Sequence, residues 1–303
     1  MLNIIYILLI SLFIPGIINR IRARLSGRIG IPILKHLSTI IVLFNKSITY
    51  ARGSGILYRL APTISLAAVL TALTMVPFGK REALISFDGD FIVVIYLLAI
   101  TRFMTILASM STGSSFEGMG ASREALYGAL VEPAIFVSVG SLALITGNTS
   151  FSSIYATLAA MQIEMVIAII LLYYVLLKIC ITETSRVPVD DPRTHLELTM
   201  IHEVMILDYS SVDLAFIHIT NWIKGGIFAV LAGSALSATF HHSVIMTAML
   251  ALFQAVIIGF IESFSARNKM TKNATYIVAI TAVALMVFAI CYLIKNNIYI
   301  TLE

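Results

Sequence analysis

Between residues 178 and 214 the chain places seven of its sixteen acids: Glu183, Asp190, Asp191, Glu197, Glu203, Asp208 and Asp213. Arg186, Arg193, His195 and His202 are interleaved with them. Side chains of these types exchange protons or hold a charged partner surface. Pro188 and Pro192 break any helix in the first half of the segment, while Asp191 and Thr194 suit the cap of a helix starting near residue 193. On that helix His195, Thr199 and His202 share one face and Glu197 and Ile201 another, leaving Leu196, Met200, Val204 and Leu207 to meet apolar neighbours. A plainly solvated loop is the simpler reading, but it would not mix ionisable and apolar residues so evenly.

Two more acids lie within apolar runs, Glu132 near one end of its run and Glu164 about halfway through the next. A charge at the centre of a membrane helix costs about 2.5–3.5 kcal/mol on insertion scales, so each needs a partner or a purpose. Burial disfavours the ionised form, which suits such groups to exchange protons. The rival reading is a hydrogen-bonded Glu that only joins helices. Arg123 lies nine residues before Glu132, where it would stabilise that carboxylate's charge or hold a neighbouring loop. Gly113, Gly118 and Gly120 surround Glu117 just upstream, a spacing that by itself specifies nothing.

Several chemistries are excluded for this chain alone. Its two cysteines, Cys180 and Cys291, are far apart, whereas an iron–sulfur cluster needs about four ligands. No His-Glu-x-x-His zinc motif and no phosphate-binding Gly-x-x-x-x-Gly-Lys-Ser/Thr loop occurs among its residues.

The elements that position these residues follow from composition. Hydrophobic residues make up 59% and charged residues 12%, with a mean hydropathy of +0.97. A bilayer core about 30 Å thick needs about 20 apolar residues per helix. Eight runs qualify, about 2–18, 61–78, 91–110, 128–146, 155–179, 215–238, 243–262 and 274–294. They are too long and unbroken for a β-barrel, whose strands alternate polarity over about ten residues. The expected fold is an all-α polytopic membrane bundle of about eight transmembrane helices. Residues 33–44, apolar over a dozen positions beside Lys35 and Lys46, read as an amphipathic interfacial helix. No repeat or composition shift divides residues 1–303, which read as one transmembrane domain. The first run has no Lys or Arg before it and no small-residue cleavage site, so it reads as a retained span.

The segment after the first span carries Arg20, Arg22, Arg24, Arg28, Lys35, Lys46, Arg52 and Arg59 and no acid, which assigns it to the cytoplasm. Eight spans then put both termini outside and the loop of Arg267, Lys269 and Lys272 inside. The acidic 178–214 loop falls on the cytoplasmic side too, against the usual trend.

The run Glu183-Thr-Ser-Arg186-Val-Pro188-Val-Asp190-Asp-Pro192, followed by Thr194-His195-Leu-Glu197-Leu-Thr-Met-Ile-His202-Glu203 and Asp208-Tyr209-Ser, resembles the membrane subunit of group 4 energy-converting NiFe hydrogenases, of the formate hydrogenlyase and hydrogenase-four type. These are relatives of the respiratory complex I subunit that joins the peripheral arm to the membrane arm. Arg22-Ala-Arg24-Leu-Ser-Gly27-Arg28-Ile-Gly30, Gly120-Ala-Ser-Arg123-Glu124-Ala, Glu132-Pro133-Ala, Pro62 and Pro77 also resemble family features, so the similarity covers most of the chain. After Gly30 the chain has Ile31-Pro32 where the quinone-using branch has Gly-Pro-Asn.

The resemblance implies a subunit that anchors a soluble redox arm and links its chemistry to proton or sodium translocation. It implies hydrogenase large and small subunits and antiporter-like membrane subunits as partners, with membrane lipid and no nucleic acid. It implies no cofactor in this chain, the NiFe centre and iron–sulfur clusters residing in partner subunits. It places the chain in the inner membrane of a prokaryote, without catalysis of its own. Glu183, Arg186, Asp190, Glu197, Glu203 and Asp208 would stand at the junction, with Arg123 and Glu132 beneath. Together with burial, this makes Glu132, Glu164, Glu183, Glu197, Glu203 and Asp208 the candidate proton path. Arg22, Arg24, Arg28, Arg123, Arg186, Asp190 and His202 are the candidate docking residues. The rivals are a quinone-site subunit of a complex I-type enzyme and a stand-alone secondary transporter with its site at the broken segment around Pro188 and Pro192.

Overall fold

The computed structural model describes residues 2–50, 55–160, 165–191, 200–240 and 243–296. Glu164 and Glu197, with the capping Thr194, lie outside the described residues. Among the described residues eight helices are long and apolar enough to cross a bilayer: α1 (Leu2–Leu25), α3 (Ile56–Thr74), α4 (Asp90–Ser111), α5 (Ser115–Thr146), α7 (Val166–Glu183), α9 (Ser211–Phe240), α10 (Val244–Phe264) and α11 (Met270–Lys295). The described residues also form three short helices, α2 (Lys35–Phe44), α6 (Phe151–Leu158) and α8 (His202–Met205). The fold is the all-α membrane bundle that composition predicts.

The centre of the bundle is α9, which packs against α1, α3, α7 and α10. Its buried Gly225, Gly226, Ala229, Ala232, Gly233 and Ala235 let neighbouring backbones approach where apolar surface alone gives no drive to associate. On the outside, α5 pairs with α11 and α3 with α4. One face of α2, carrying His36, Thr39 and Ile40, turns toward the bundle, while Leu37, Ile41 and Val42 are exposed.

Several boundaries differ from the hydropathy runs. Pro62 lies inside α3 instead of opening it, and the helix ends at Thr74, before Pro77. A proline there has no N–H for the carbonyl of Tyr58, and the Tyr209 hydroxyl donates to that carbonyl instead, at 2.8 Å. The fourth span starts at Ser115, so Glu117, Arg123 and Glu124 are helical and Glu132 sits midway along α5 instead of near its end. Gly120 explains why this polar stretch can enter the bundle: a Cβ there would stand 2.9 Å from the Ile201 carbonyl oxygen. The 155–179 run is divided, because α6 ends at Leu158. Its Phe151, Ile154, Tyr155 and Leu158 are buried at helical spacing, and Asp90 caps its start through Phe151 N–H (2.8 Å) and Ser150 Oγ (2.7 Å).

The acidic loop is shorter than expected, because α7 continues to Glu183 and α9 begins at Ser211. It folds back over the bundle end: Val187, Val189, Asp190, Met200, Ile201, Val204, Met205 and Tyr209 are buried, while Leu207 is exposed. The helix expected from residue 193 is represented among the described residues only by the single turn α8.

Candidate functional site

Two groups of charges meet under this loop. The deeper one is built on Arg102 of α4, a buried guanidinium for which Gly128 of α5 makes room. A Cβ at Gly128 would lie 2.7 Å from Arg102 Cδ. Arg102 Nη1 is 3.1 Å from Glu132 Oε1, its Nε 3.5 Å from Glu124 Oε1, and its Nη2 hydrogen-bonds Glu183 Oε1. The second oxygen of Glu183 is 3.0 Å from Lys224 Nζ of α9. The cluster therefore sets two buried cations against three carboxylates. Such an arrangement persists only because each charge has a partner, since an unpaired ion in this environment costs several kcal/mol.

The shallower group ties the loop to α1, α10 and the α10–α11 turn. Glu262 of α10 receives Arg22 Nη1 at 3.2 Å and Arg186 Nη1 at 2.9 Å. Arg22 also approaches Asp191 at 3.8 Å. Asp190 pairs with Arg267 at 3.0 Å and accepts the backbone N–H groups of Asp191 (2.9 Å), Ile201 (3.1 Å) and His202 (3.2 Å). Burial still pushes the Asp190 carboxyl upward against these stabilising contacts. Asn268 N–H and Asn273 Nδ2 donate to the Pro188 and Val189 carbonyls, each at 2.9 Å.

Beside these clamps opens a cavity of about 1030 Å³ between α1, α2, the loop, α9 and α10. Arg28, Leu25, Ile31 and Phe264 line its exposed end, and His36, His202, Glu203 and His218 its interior. Burial raises Glu203 to about 7 and, with Lys224 nearby, lowers His202 to about 4. Burial and the charge of Arg186 lower His36. At neutral pH this lining holds a carboxyl near its midpoint beside neutral imidazoles, groups able to pass protons.

His202 and Asn221 line this cavity and also a second pocket of about 30 Å³, whose walls include Arg102, Glu124, Glu183 and Lys224. That volume holds one or two waters, since a water needs about 10–15 Å³ by this measure. His202 and Asn221 are thus the side chains common to the cavity and the pocket at the deep charge group.

Among the sequence candidates, Glu132 and Glu183 meet in the Arg102 cluster, and Glu203, Arg22, Arg186, Asp190 and His202 gather at the cavity. Arg186, Asp190 and Arg22 form ion pairs that hold the loop. Arg24 and Arg28 are exposed. Arg123 does not reach Glu132; its Nη1 donates to the Met200 carbonyl at 3.0 Å and so holds the loop. Asp208 is exposed and lies beside Glu117, which accepts a hydrogen bond from Thr112. Sequence reasoning missed Arg102, Lys224, Glu124 and Glu262 as site members. A charge inside an apolar run was the available signal for Arg102 and Lys224. Among the described residues no three His, Cys, Asp or Glu side chains stand close enough to hold a metal ion.

A chain of the membrane-bound sulfane sulfur reductase, an archaeal respiratory membrane complex, shares the fold with a TM-score of 0.76 over 94% of this chain and 97% of that one, at 20% identity. The NADH dehydrogenase family profile matches residues 1–292, and the chain belongs to that family. It is 30% identical to hydrogenase-4 component C of Escherichia coli (strain K12) over 281 residues, 89% of this chain and 86% of that one. It is 31% identical to formate hydrogenlyase subunit 4 of the same organism over 185 residues, 61% and 60% of the two chains. One subunit of the NADH-quinone oxidoreductase of Rickettsia typhi (strain ATCC VR-144 / Wilmington) is more distant, 23% identical over 199 residues, 66% of this chain and 56% of that one.

Proposed function

We propose that this chain is the membrane-anchoring and ion-coupling subunit of an energy-converting hydrogenase complex. It docks a NiFe and iron–sulfur arm, supplied by large and small subunits, at its Arg-rich cytoplasmic face and links that arm's redox chemistry to proton or sodium movement toward antiporter-like subunits. By itself it holds no redox centre and catalyses no reaction. It resides in the inner membrane of a prokaryote with both termini outside. The likeness to hydrogenase-4 component C over most of both chains supports the hydrogenase branch.

The observation that carries the coupling reading is the pair His202 and Asn221, which belongs to both the loop-side cavity and the pocket of the Arg102 cluster. A shift of the loop or a charge change in the cavity alters the field at Lys224 and Glu183, and by linkage their protonation acts back on the loop. Protons enter at Glu203 and His202, cross the water-sized pocket to Lys224 and Glu183, and leave through Glu132, one of the two further carboxylates on Arg102. The test is Glu132→Gln in membrane vesicles: hydrogenase turnover continues while ion uptake per turnover falls at least tenfold. Undiminished uptake removes Glu132 from the path.

The cavity favours a second reading. Its size, the Leu25, Ile31 and Phe264 side chains at its exposed end and its inner histidines suit the tail and head of a quinone, and one relative is a subunit of an NADH-quinone oxidoreductase. Quinone-dependent turnover by the purified complex supports that reading, and hydrogen-linked turnover indifferent to quinone sinks it.

A further inference from the structure

Lys178 of α7 differs from the buried cations Arg102 and Lys224, because among the described residues no carboxylate pairs with it. Its ammonium stands 5.5 Å from the centre of the Tyr174 ring and 5.3 Å from that of Tyr276 on α11. Ring faces attract a cation but leave its charge in place. Tyr174 is one turn nearer the start of α7, so Lys178 leans back into the membrane instead of reaching out to water as an interfacial lysine does. Five residues, about 7.5 Å of helix, separate it from the end of α7 at Glu183. The headgroup layer on each side of the hydrocarbon core is about 5–7 Å thick, which puts the ammonium at the inner edge of that layer. Lys272, exposed near the start of α11, lies one turn from Tyr276 toward the same membrane face. Glu183 is the one acid in either helix, and it is taken by Arg102 and Lys224.

We propose that the groove between α7 and α11 binds an anionic phospholipid of the loop-side leaflet, with Lys178 and Lys272 holding its phosphate. Charge complementarity selects an anion, since the groove carries two cations and no free acid. Depth selects a lipid, because a phosphodiester is the anion that the bilayer itself supplies at the edge of the hydrocarbon. Beneath the ammonium, Tyr174 (48% exposed), Ile170 (50%) and Ile167 (70%) continue the same face of α7 at helical spacing. On α11 the exposed Ala279 follows Tyr276, and its small side chain leaves a channel for an acyl chain. Tyrosines at the headgroup and aliphatic side chains below them match a lipid's head and tail. A second copy of this chain fits poorly, since a two-fold contact would set Lys178 against Lys178. The basic segments assign this leaflet to the cytoplasmic side, where anionic lipids gather. The proposal depends on how the chain lies in the bilayer and is independent of which redox arm it carries.

The test uses the whole complex in nanodiscs of phosphatidylcholine, with a trace of phosphatidylglycerol that carries a photoactivatable diazirine in its acyl chain. After irradiation, peptide mass spectrometry is expected to find adducts at Tyr174, Ile170 and Ala279, displaced by an excess of unlabelled phosphatidylglycerol. The same label on phosphatidylcholine should mark these positions at least about fivefold less, the weight of one basic residue at an anionic head. Lys178→Gln should lower the phosphatidylglycerol adducts about fivefold, and Lys178→Gln with Lys272→Gln about thirtyfold, while Lys178→Arg changes them less than about twofold. Adducts at Phe253 of α10, 54% exposed, are the reference and should stay constant throughout. Equal labelling by the two lipids, labelling undiminished in the Gln variants, or no lipid adduct on this face overturns the proposal. The comparison of lipids uses the unaltered chain, so it decides the matter even where a variant fails to assemble.

Discussion

The two charge groups of this protein use the same residue types for opposite ends. Around Glu262 and Asp190 each acid bridges separate elements at the rim of an open cavity, and the cations holding them remain partly exposed, Arg22 at 18% and Arg186 at 19%. Around Arg102 the ions lie inside the apolar bundle and the cations are scarcer than the acids. The rim group is a set of clamps in which loss of one contact loosens a loop. The deep group is one coupled unit in which loss of one cation leaves several carboxylates unsupported. Water access makes the difference: beside the cavity of about 1030 Å³ a stranded charge can be fully solvated, whereas the pocket at Arg102, of about 30 Å³, has room for very few waters.

Arg102→Met breaks this contrast most severely. It strands Glu124 and Glu132 and leaves Glu183 only Lys224, at a cost of about 3–5 kcal/mol. Membranes should then contain less than a tenth of the normal assembled chain, quantified by native electrophoresis, while Arg102→Lys keeps most of it. Normal assembly of the Met variant would mean that the deep group is no more cooperative than the rim.

Glu262→Gln should act locally. It replaces two charged contacts by neutral ones at about 1–3 kcal/mol, and the chain still assembles. Trypsin should cut at Arg186 faster than in the wild type, and an unchanged rate would sever Glu262 from loop anchoring.

Glu203→Gln sharpens the comparison through pH. Burial raises this carboxyl from its ordinary 4.5 to about 7, so the folded protein favours the protonated form. The wild type then loses stability as pH rises through that window, and the Gln variant does not. Melting temperatures of the two in detergent should coincide near pH 4 and separate progressively toward pH 8. The variant should gain about 1–2 kcal/mol once screening by cavity water is allowed for. Parallel curves would contradict the burial of Glu203. Tyr209→Phe is the mildest change. It removes the donor to the Tyr58 carbonyl that Pro62 leaves unpaired, at about 1 kcal/mol, read as a small drop in melting temperature with the fold intact.

Hydropathy periods made the eight spans legible, because about twenty apolar residues in a row have few uses other than crossing a bilayer. Motif and charge density located the loop, and Glu132 and Glu183 stood out as acids beside apolar runs. The same averaging over long windows hid Arg102 and Lys224, whose single charges scarcely change a run's mean. It also cut α5 short: polar residues before Gly128 lowered hydropathy, and their burial depends on Gly120 accepting the loop backbone.

What the sequence alone determined is which segments enter the membrane and that ionisable residues gather at one of their junctions. Only the tertiary structure decided which charges pair. Arg102 and Glu183 are 81 residues apart and Arg186 and Glu262 are 76 apart, so no local spacing relates them. The ion pairs of Arg186 with Glu262 and of Asp190 with Arg267 were likewise settled by packing. A buried charge is tolerable only where the fold brings its partner, and that partner comes from another helix.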